Sequence, residues 1–497
     1  MEKYINRARI LSIESKYIDA SDMLIKAASI LDERNDRYYK IMQYYAKFLA
    51  LHGYYFSNEK YLVKAIETHK NNIKYFEKNY NIENINSAKF ILANTLNTLS
   101  VIRFDGKLQN EATEILKNLA EGCEMRAPNS ECFKYISTYS SIFSSRRSRN
   151  TTSKTGAKKY SERLKISLEL AKEALRHSKT VDQEASISAE TKYHYIQIEY
   201  ANYTNNESLK NKGVASLKDK FKLLHEEFLK GKYQSALNDI INSAYIYFDY
   251  WDIGELKAVA GVYKNRIDGY DNMNRDIADQ FSNYASFIQK IWRSEKINHE
   301  MLEESISYFE KSFEYEWKAK PMGMNQINFG ISLSNYGHVM RNEEILKRAV
   351  MTLKMAKINL APSLGDQRLA IDNLTVVLNR LMSLESDKCY EKLSVVIAKE
   401  AKAMKEAYDT GIVLFDFFDG YEKYQYFVDH VDFENQDNMS DDIRKKLDML
   451  LRQIERTEQL PEYSRSTDQA FNACFPNIPD LPGLQKVTKD NETETVI

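Results

Sequence analysis

The chain has 497 residues, room for a large core or for a long stack of small ones, and its 70 basic side chains nearly balance 71 acidic ones. That balance excludes any overall charge that would point to nucleic acid or an anionic membrane. Only 16 glycines and 7 prolines interrupt it, which favours helix almost throughout, and its 34 tyrosines suit half-buried seams between helices.

At the N-terminus the sequence shows no apolar core of the signal-peptide type. Ala8 takes the small position of a first helix, and Ala20, Leu24 and Ala27 recur at helical spacing in a second. Bulky-small or small-small pairs then punctuate successive amphipathic segments: Tyr45-Ala46, Leu99-Ser100, Tyr139-Ser140, Tyr200-Ala201, Ser243-Ala244, Tyr284-Ala285, Tyr336-Gly337 and Leu374-Thr375. Between them, residues 144–159 break the pattern. Arg146, Arg147, Arg149, Lys154, Lys158 and Lys159 stand there with no acid among them, and the polar, glycine-containing centre reads as an exposed loop. The stretch from Gly231 to Ala236 reads as an inter-helix turn and competes with a helix over 233–249.

The clearest unit runs from Gly323 to Pro362. Tyr336-Gly337 sets a bulky residue beside one without a side chain, and Met340 follows one turn on. Ala349, Leu353 and Ala356 recur in the second helix at the offsets from Gly337 that Ala20, Leu24 and Ala27 have from Ala8. Small residues at these places let two helix backbones approach, and Pro362 ends the run. The unit resembles the tetratricopeptide repeat, with Tyr336, Met340 and Leu353 in place of the Leu, Tyr and Phe of that pattern. Spacing between units exceeds the ~34 residues of that family, so a HEAT-like array with ~40–47 residues per unit is the structural alternative. The expected fold is an all-α superhelical solenoid of stacked antiparallel helix pairs over residues 1–410.

Residues 411–460 are expected to form a C-terminal aromatic and acidic cap, ending in an amphipathic helix over 440–459. From Pro461 to residue 497 the prolines and the loss of periodicity predict an extended, partly disordered tail. The last residues, Thr495, Val496 and Ile497, resemble the tails that PDZ domains capture.

Chemistry-bearing motifs are sparse. No phosphate-binding loop, zinc-protease signature or nucleophile elbow is visible, and Asp416, Asp419, Asp429 and Asp432 match no calcium loop. Cys123, Cys132, Cys389 and Cys474 form no CxxC pair and have no histidine cluster, which argues for reduced thiols rather than a disulfide framework or zinc site. The longest apolar runs, such as 412–415, are too short to span a bilayer. The expectation is a cytoplasmic protein without membrane, metal or cofactor. Arg293 and His299 have a spacing similar to that of the HEPN-type ribonucleases, in which such a pair acts on the RNA phosphate and 2′-hydroxyl.

The tetratricopeptide resemblance implies a scaffold or regulator that is not an enzyme and that binds a protein or peptide in the groove lined by the first helices of its pairs. On that basis Ser334, His338 and Arg341, with Ser282, Ser286 and Gln289 one unit earlier, form the outward stripe, and Asn283 and Asn335 lie beside the seam. Two alternatives stand beside it. One is a nucleic-acid effector with the 144–159 loop as phosphate contact and Arg293 with His299 as cleavage pair. The other is a sensor whose curvature responds to a peptide. The Lys-, Asn- and Tyr-rich composition is compatible with a bacterium of AT-rich genome, where regulatory and defence systems use such solenoids.

Overall fold

The structure, a computed structural model, describes residues 1–13, 16–31, 35–55, 58–103, 105–123, 127–145, 154–269, 275–295, 299–316, 323–359, 364–385, 387–417 and 441–475. Among these the regular elements are 19 α-helices and one short 3₁₀ turn. The chain divides into two compact units, Met1–Arg147 with Ser161–Tyr250, and Ser148–Tyr160 with Trp251–Ile497.

The first unit holds α1 (Glu2–Ile13), α2 (Tyr17–Ala28), α3 (Asp36–Tyr55), α4 (Glu59–Lys78), α5 (Ile82–Arg103), α6 (Gly106–Glu121), α7 (Ser130–Ser145), most of α8 (Lys154–Ser178), α9 (Gln183–Tyr203), α10 (Glu207–Leu229) and α11 (Gln234–Ile246). Helices α1 to α7 each pack on the next, as do α9 to α11, and α3 also touches α5. Small residues set these approaches. Ala8, Ala20, Ala27, Ala46 and Ala65 are all buried in one core, and a Cβ on Gly53 would lie 2.6 Å from Leu62 Cγ across the α3–α4 seam. Where α7 meets α8, Ser140 and Ser167 each donate to the other's backbone carbonyl, at 2.9 and 3.3 Å. Around Gly231 the turn and the following helix coexist, because Gly231 and Tyr233 both adopt positive φ and α11 starts at Gln234.

The second unit holds α12 (Ile253–Asp268), α13 (Arg275–Glu295), α14 (Glu300–Glu316), α15 (Gly323–Val339), α16 (Glu343–Asn359), α17 (Leu364–Leu384), α18 (Lys388–Phe417) and α19 (Asp441–Cys474). Each packs on the next, and the first helices of successive pairs touch one another, α13 on α15 and α15 on α17. Contacts confined to near neighbours in this way define a solenoid. The α15–α16 pair approaches closely. A Cβ on Gly330 would lie 2.6 Å from Leu353 Cγ, and one on Gly337 would lie 3.0 Å from Leu346 Cγ. Ala349, Leu353 and Ala356 are fully buried there, as are Ala20 and Ala27 in α2.

One turn recurs between paired helices. A small residue near the end of the first helix leaves its carbonyl to a backbone N–H of an Asn or Asp that begins the second: Asp105 on Ser100 at 2.9 Å, Asn206 on Ala201 at 2.8 Å and Asn342 on Gly337 at 2.8 Å. The side chains of Asp105, Asn206 and Asn342 then accept from Lys107, Leu209 and Ile345 N–H groups, capping the second helix. Asn205 and Arg341 make the reversal with left-handed φ of 52° and 50°.

Several expectations are corrected. The cysteines are not free thiols: Cys123 bonds Cys132 and Cys389 bonds Cys474. Spacing in sequence did not show this, because the second pair is brought together by α18 and α19 over a separation of 85 residues. The basic segment is not a loop throughout, since Lys154, Lys158 and Lys159 lie in the first turns of α8, with Lys158 exposed. Arg146, Arg147 and Arg149 lie outside the described residues. Nor is the chain extended from Pro461 onward, because α19 runs through that proline to Cys474. Tertiary contacts hold it there despite the missing N–H. Leu460, Thr467 and Phe471 are buried, Phe475 stacks on Tyr390 at 5.6 Å, and Lys354 lies 4.2 Å from the Phe471 ring. Of the remaining C-terminal features, residues 418–440 and 476–497 lie outside the described residues, together with Asp419, Asp429, Asp432 and the final Thr495, Val496 and Ile497.

Candidate functional site

A cavity of about 650 Å³ opens in the second unit, lined by Trp292 and Arg293 of α13, Ile331, Ser334, Asn335, His338 and Val339 of α15, and Asn373, Val376, Val377 and Arg380 of α17. All three are first helices of successive pairs. Residues from the middle to the C-terminal end of these helices supply the lining, and the seams with α14, α16 and α18 occupy other faces of the same helices.

Arg380 is the charged centre of this wall. Its Nη1 donates to Ser334 Oγ at 2.7 Å and to Asn335 Oδ1 at 2.9 Å. Both acceptors are neutral and buried, at 2% and 8% exposure. Loss of solvent, and then the positive charge of Arg293, hold the Arg380 guanidinium below its ordinary pKa, and no described carboxylate offsets them. Among the described residues no Asp or Glu lines the cavity. Arg293 and His338 are exposed at its edge, and Ile331, Val339 and Val376 supply apolar wall.

The residues expected on the outward stripe separate into two groups. Ser334, Asn335 and His338 line the cavity. Ser282, Ser286 and Gln289 are instead buried, at 0%, 6% and 4% exposure, and join the helices to one another. Ser282 shares a hydrogen bond with Ser312 at 2.7 Å, Ser286 accepts from Asn328 at 3.2 Å, and Gln289 donates to Ser332 at 2.6 Å. The correction has a physical cause. One seam at Tyr284-Ala285 implied that the opposite face was free, yet α13 also packs on α12 and α15, so its polar face is enclosed too. Asn283 is exposed but does not line the cavity. Arg341 is not on the helix face at all, because α15 ends at Val339 and Arg341 forms the left-handed turn.

The Arg293 and His299 pair is divided in the same way. Arg293 stands in the last turn of α13 and lines the cavity, whereas His299 is exposed just before α14 and does not. Among the described residues no cluster of His, Cys, Asp and Glu could hold a metal ion, and no helix is long and apolar enough to cross a membrane. Sequence reading missed Arg380, Trp292 and Asn373. The Asn379-Arg380 pair interrupting the apolar residues of α17, between Leu378 and Leu381, was the available signal.

Fold and seams together define the class: an all-α solenoid of antiparallel helix pairs, tetratricopeptide-like in its close approaches. No family model and no curated protein matches the chain. Among solved structures, a circular tandem repeat protein with novel repeat topology and enhanced subunit contact surfaces is 13% identical over 94% of this chain and 90% of that chain, with a TM-score of 0.14. A structure of Naa15/Naa10 bound to HypK-THB is 12% identical over 95% and 73%, with a TM-score of 0.15. Scores this low carry no argument, so the class rests on the helix pairing itself.

Proposed function

We propose that this chain is a non-enzymatic scaffold or regulator that binds a protein or peptide partner in the cavity of its second unit. One observation carries the reading. Three successive first helices contribute to a single cavity that combines apolar wall (Ile331, Val339, Val376), a backbone-matching amide (Asn373) and a cation, Arg380. That mixture suits an extended peptide, whose backbone needs hydrogen bonds and whose side chains need apolar contact.

The test is purification of the tagged full-length chain from its native cells, followed by mass spectrometry and the 260/280 nm absorbance ratio. A stoichiometric protein partner, lost when Val376 is replaced by Glu and retained when the exposed Lys158 is replaced by Glu, supports the reading. A partner that ignores Val376→Glu contradicts it. Nucleic acid that co-purifies and is lost with Lys158→Glu contradicts it as well, and would favour the nucleic-acid effector.

A further inference from the structure

The chemistry of the cavity says which part of a partner it takes. This inference rests on the scaffold reading above. An arginine has five N–H donors in a planar fork. Both Nη1 hydrogens of Arg380 are committed, one to Ser334 and one to Asn335, and these two bonds fix the plane of the guanidinium. The edge formed by Nε and Nη2 has no carboxylate among the described residues. A half-buried cation held only by neutral acceptors is an arrangement that a protein sustains at a cost in desolvation. Arg293 on the same cavity adds its positive charge to the potential at Arg380.

We propose that the cavity binds the carboxylate of an Asp or Glu side chain in an extended segment of a partner protein, with the Nε–Nη2 edge of Arg380 as its bidentate donor. A carboxylate matches that edge in geometry and in charge. The surroundings favour a peptide over a polyanion. Among the described residues Arg293, Arg380 and His338 are the basic side chains of the lining, too few to follow a nucleic-acid backbone, and Ile331, Val339 and Val376 offer apolar contact to residues flanking the acid. Ser334 and Asn335 are positioning residues, since they hold the fork rather than the ligand.

The probe is a fluorescein-labelled hexaglutamate peptide, with hexaglutamine as its neutral counterpart, titrated with the full-length chain and read by fluorescence anisotropy. The expected result is binding of hexaglutamate at least about tenfold tighter than hexaglutamine, with that preference abolished in Arg380→Gln. Arg293→Gln, at the exposed edge of the cavity, is expected to weaken hexaglutamate by a smaller factor. Equal affinity for the two peptides overturns the proposal. So does an Arg380→Gln variant of unchanged helical content that keeps the preference. Displacement of the probe by inorganic phosphate at concentrations where acetate has no effect assigns the cavity to phosphate and overturns it too. Tighter probe binding on replacing Asp490, Glu492 and Glu494 by alanine would make this chain's own C-terminal residues the occupant and overturn the partner assignment. A partner that is captured through Val376, while hexaglutamate and hexaglutamine bind alike, would leave the scaffold standing and remove only the acid specificity.

Discussion

Gly330 shows how far a single side chain decides the seam between α15 and α16. Its absent Cβ would sit 2.6 Å from Leu353 Cγ, and Leu353 is itself fully buried. Gly330→Ala regains up to about 1 kcal/mol of helix propensity but forces Leu353 from its place, and overpacking of that kind costs about 1–3 kcal/mol. The expected net result is a lower urea midpoint, and a raised midpoint would show that the seam has slack. His69 in α4 is a second residue-scale case. It is fully buried, neither ring nitrogen has a hydrogen-bond partner, and burial pushes its pKa down to about 4. The folded chain therefore keeps His69 neutral where the unfolded chain, with a pKa near the ordinary 6.5, already binds a proton. Stability from this group is whole above the unfolded value and declines as pH falls from about 6.5 to about 4, by about 3 kcal/mol in total. Between about pH 7 and pH 4 the native chain is expected to lose that much more stability than His69→Leu, measured by urea unfolding. Parallel pH profiles would contradict it.

At the scale of elements, the helices and their seams were legible because small residues repeat at fixed offsets. Gly337 and Ala8 stand in the same relation to the buried residues of α16 and α2. The inter-helix turns carried a second signal, an Asn or Asp after the small residue, as at Asn206 and Asn342. Other features were not legible, for reasons of packing. Periodicity tells which face of α13 is apolar, but Ser282, Ser286 and Gln289 look solvent-facing in sequence because hydrogen bonds to α14 and α15 satisfy them inside the stack. A proline signals a helix end, yet α19 continues past Pro461 because α16 and α18 hold it. Glu400, fully buried, accepts from Lys357 and from Ser464, both at 2.5 Å, and the Cys389–Cys474 bond closes the far end. Replacing both of these cysteines by alanine is expected to destabilise the second unit by about 2–4 kcal/mol, read as a lower unfolding midpoint. An unchanged midpoint would mean that the polar and aromatic contacts alone secure α19.

On the scale of the whole molecule, each unit is built from contacts between sequence neighbours, so stability is a sum of local terms and no single core dominates. This architecture explains why the fold class could be read from one good repeat while the site could not. A repeat specifies its own seam. A cavity shared by α13, α15 and α17 depends on how three pairs stack, and Arg380 gains its meaning only from Ser334 and Asn335 on a different helix. The account makes that shared cavity the place where the chain meets its partner. The most direct test is hydrogen–deuterium exchange of the full-length chain, alone and with the protein partner that co-purifies with it. Slower exchange on binding is predicted in the segments 331–339 and 373–380, on the two helices that supply most of the lining. Protection confined to α1–α11, with those segments unchanged, would contradict the account.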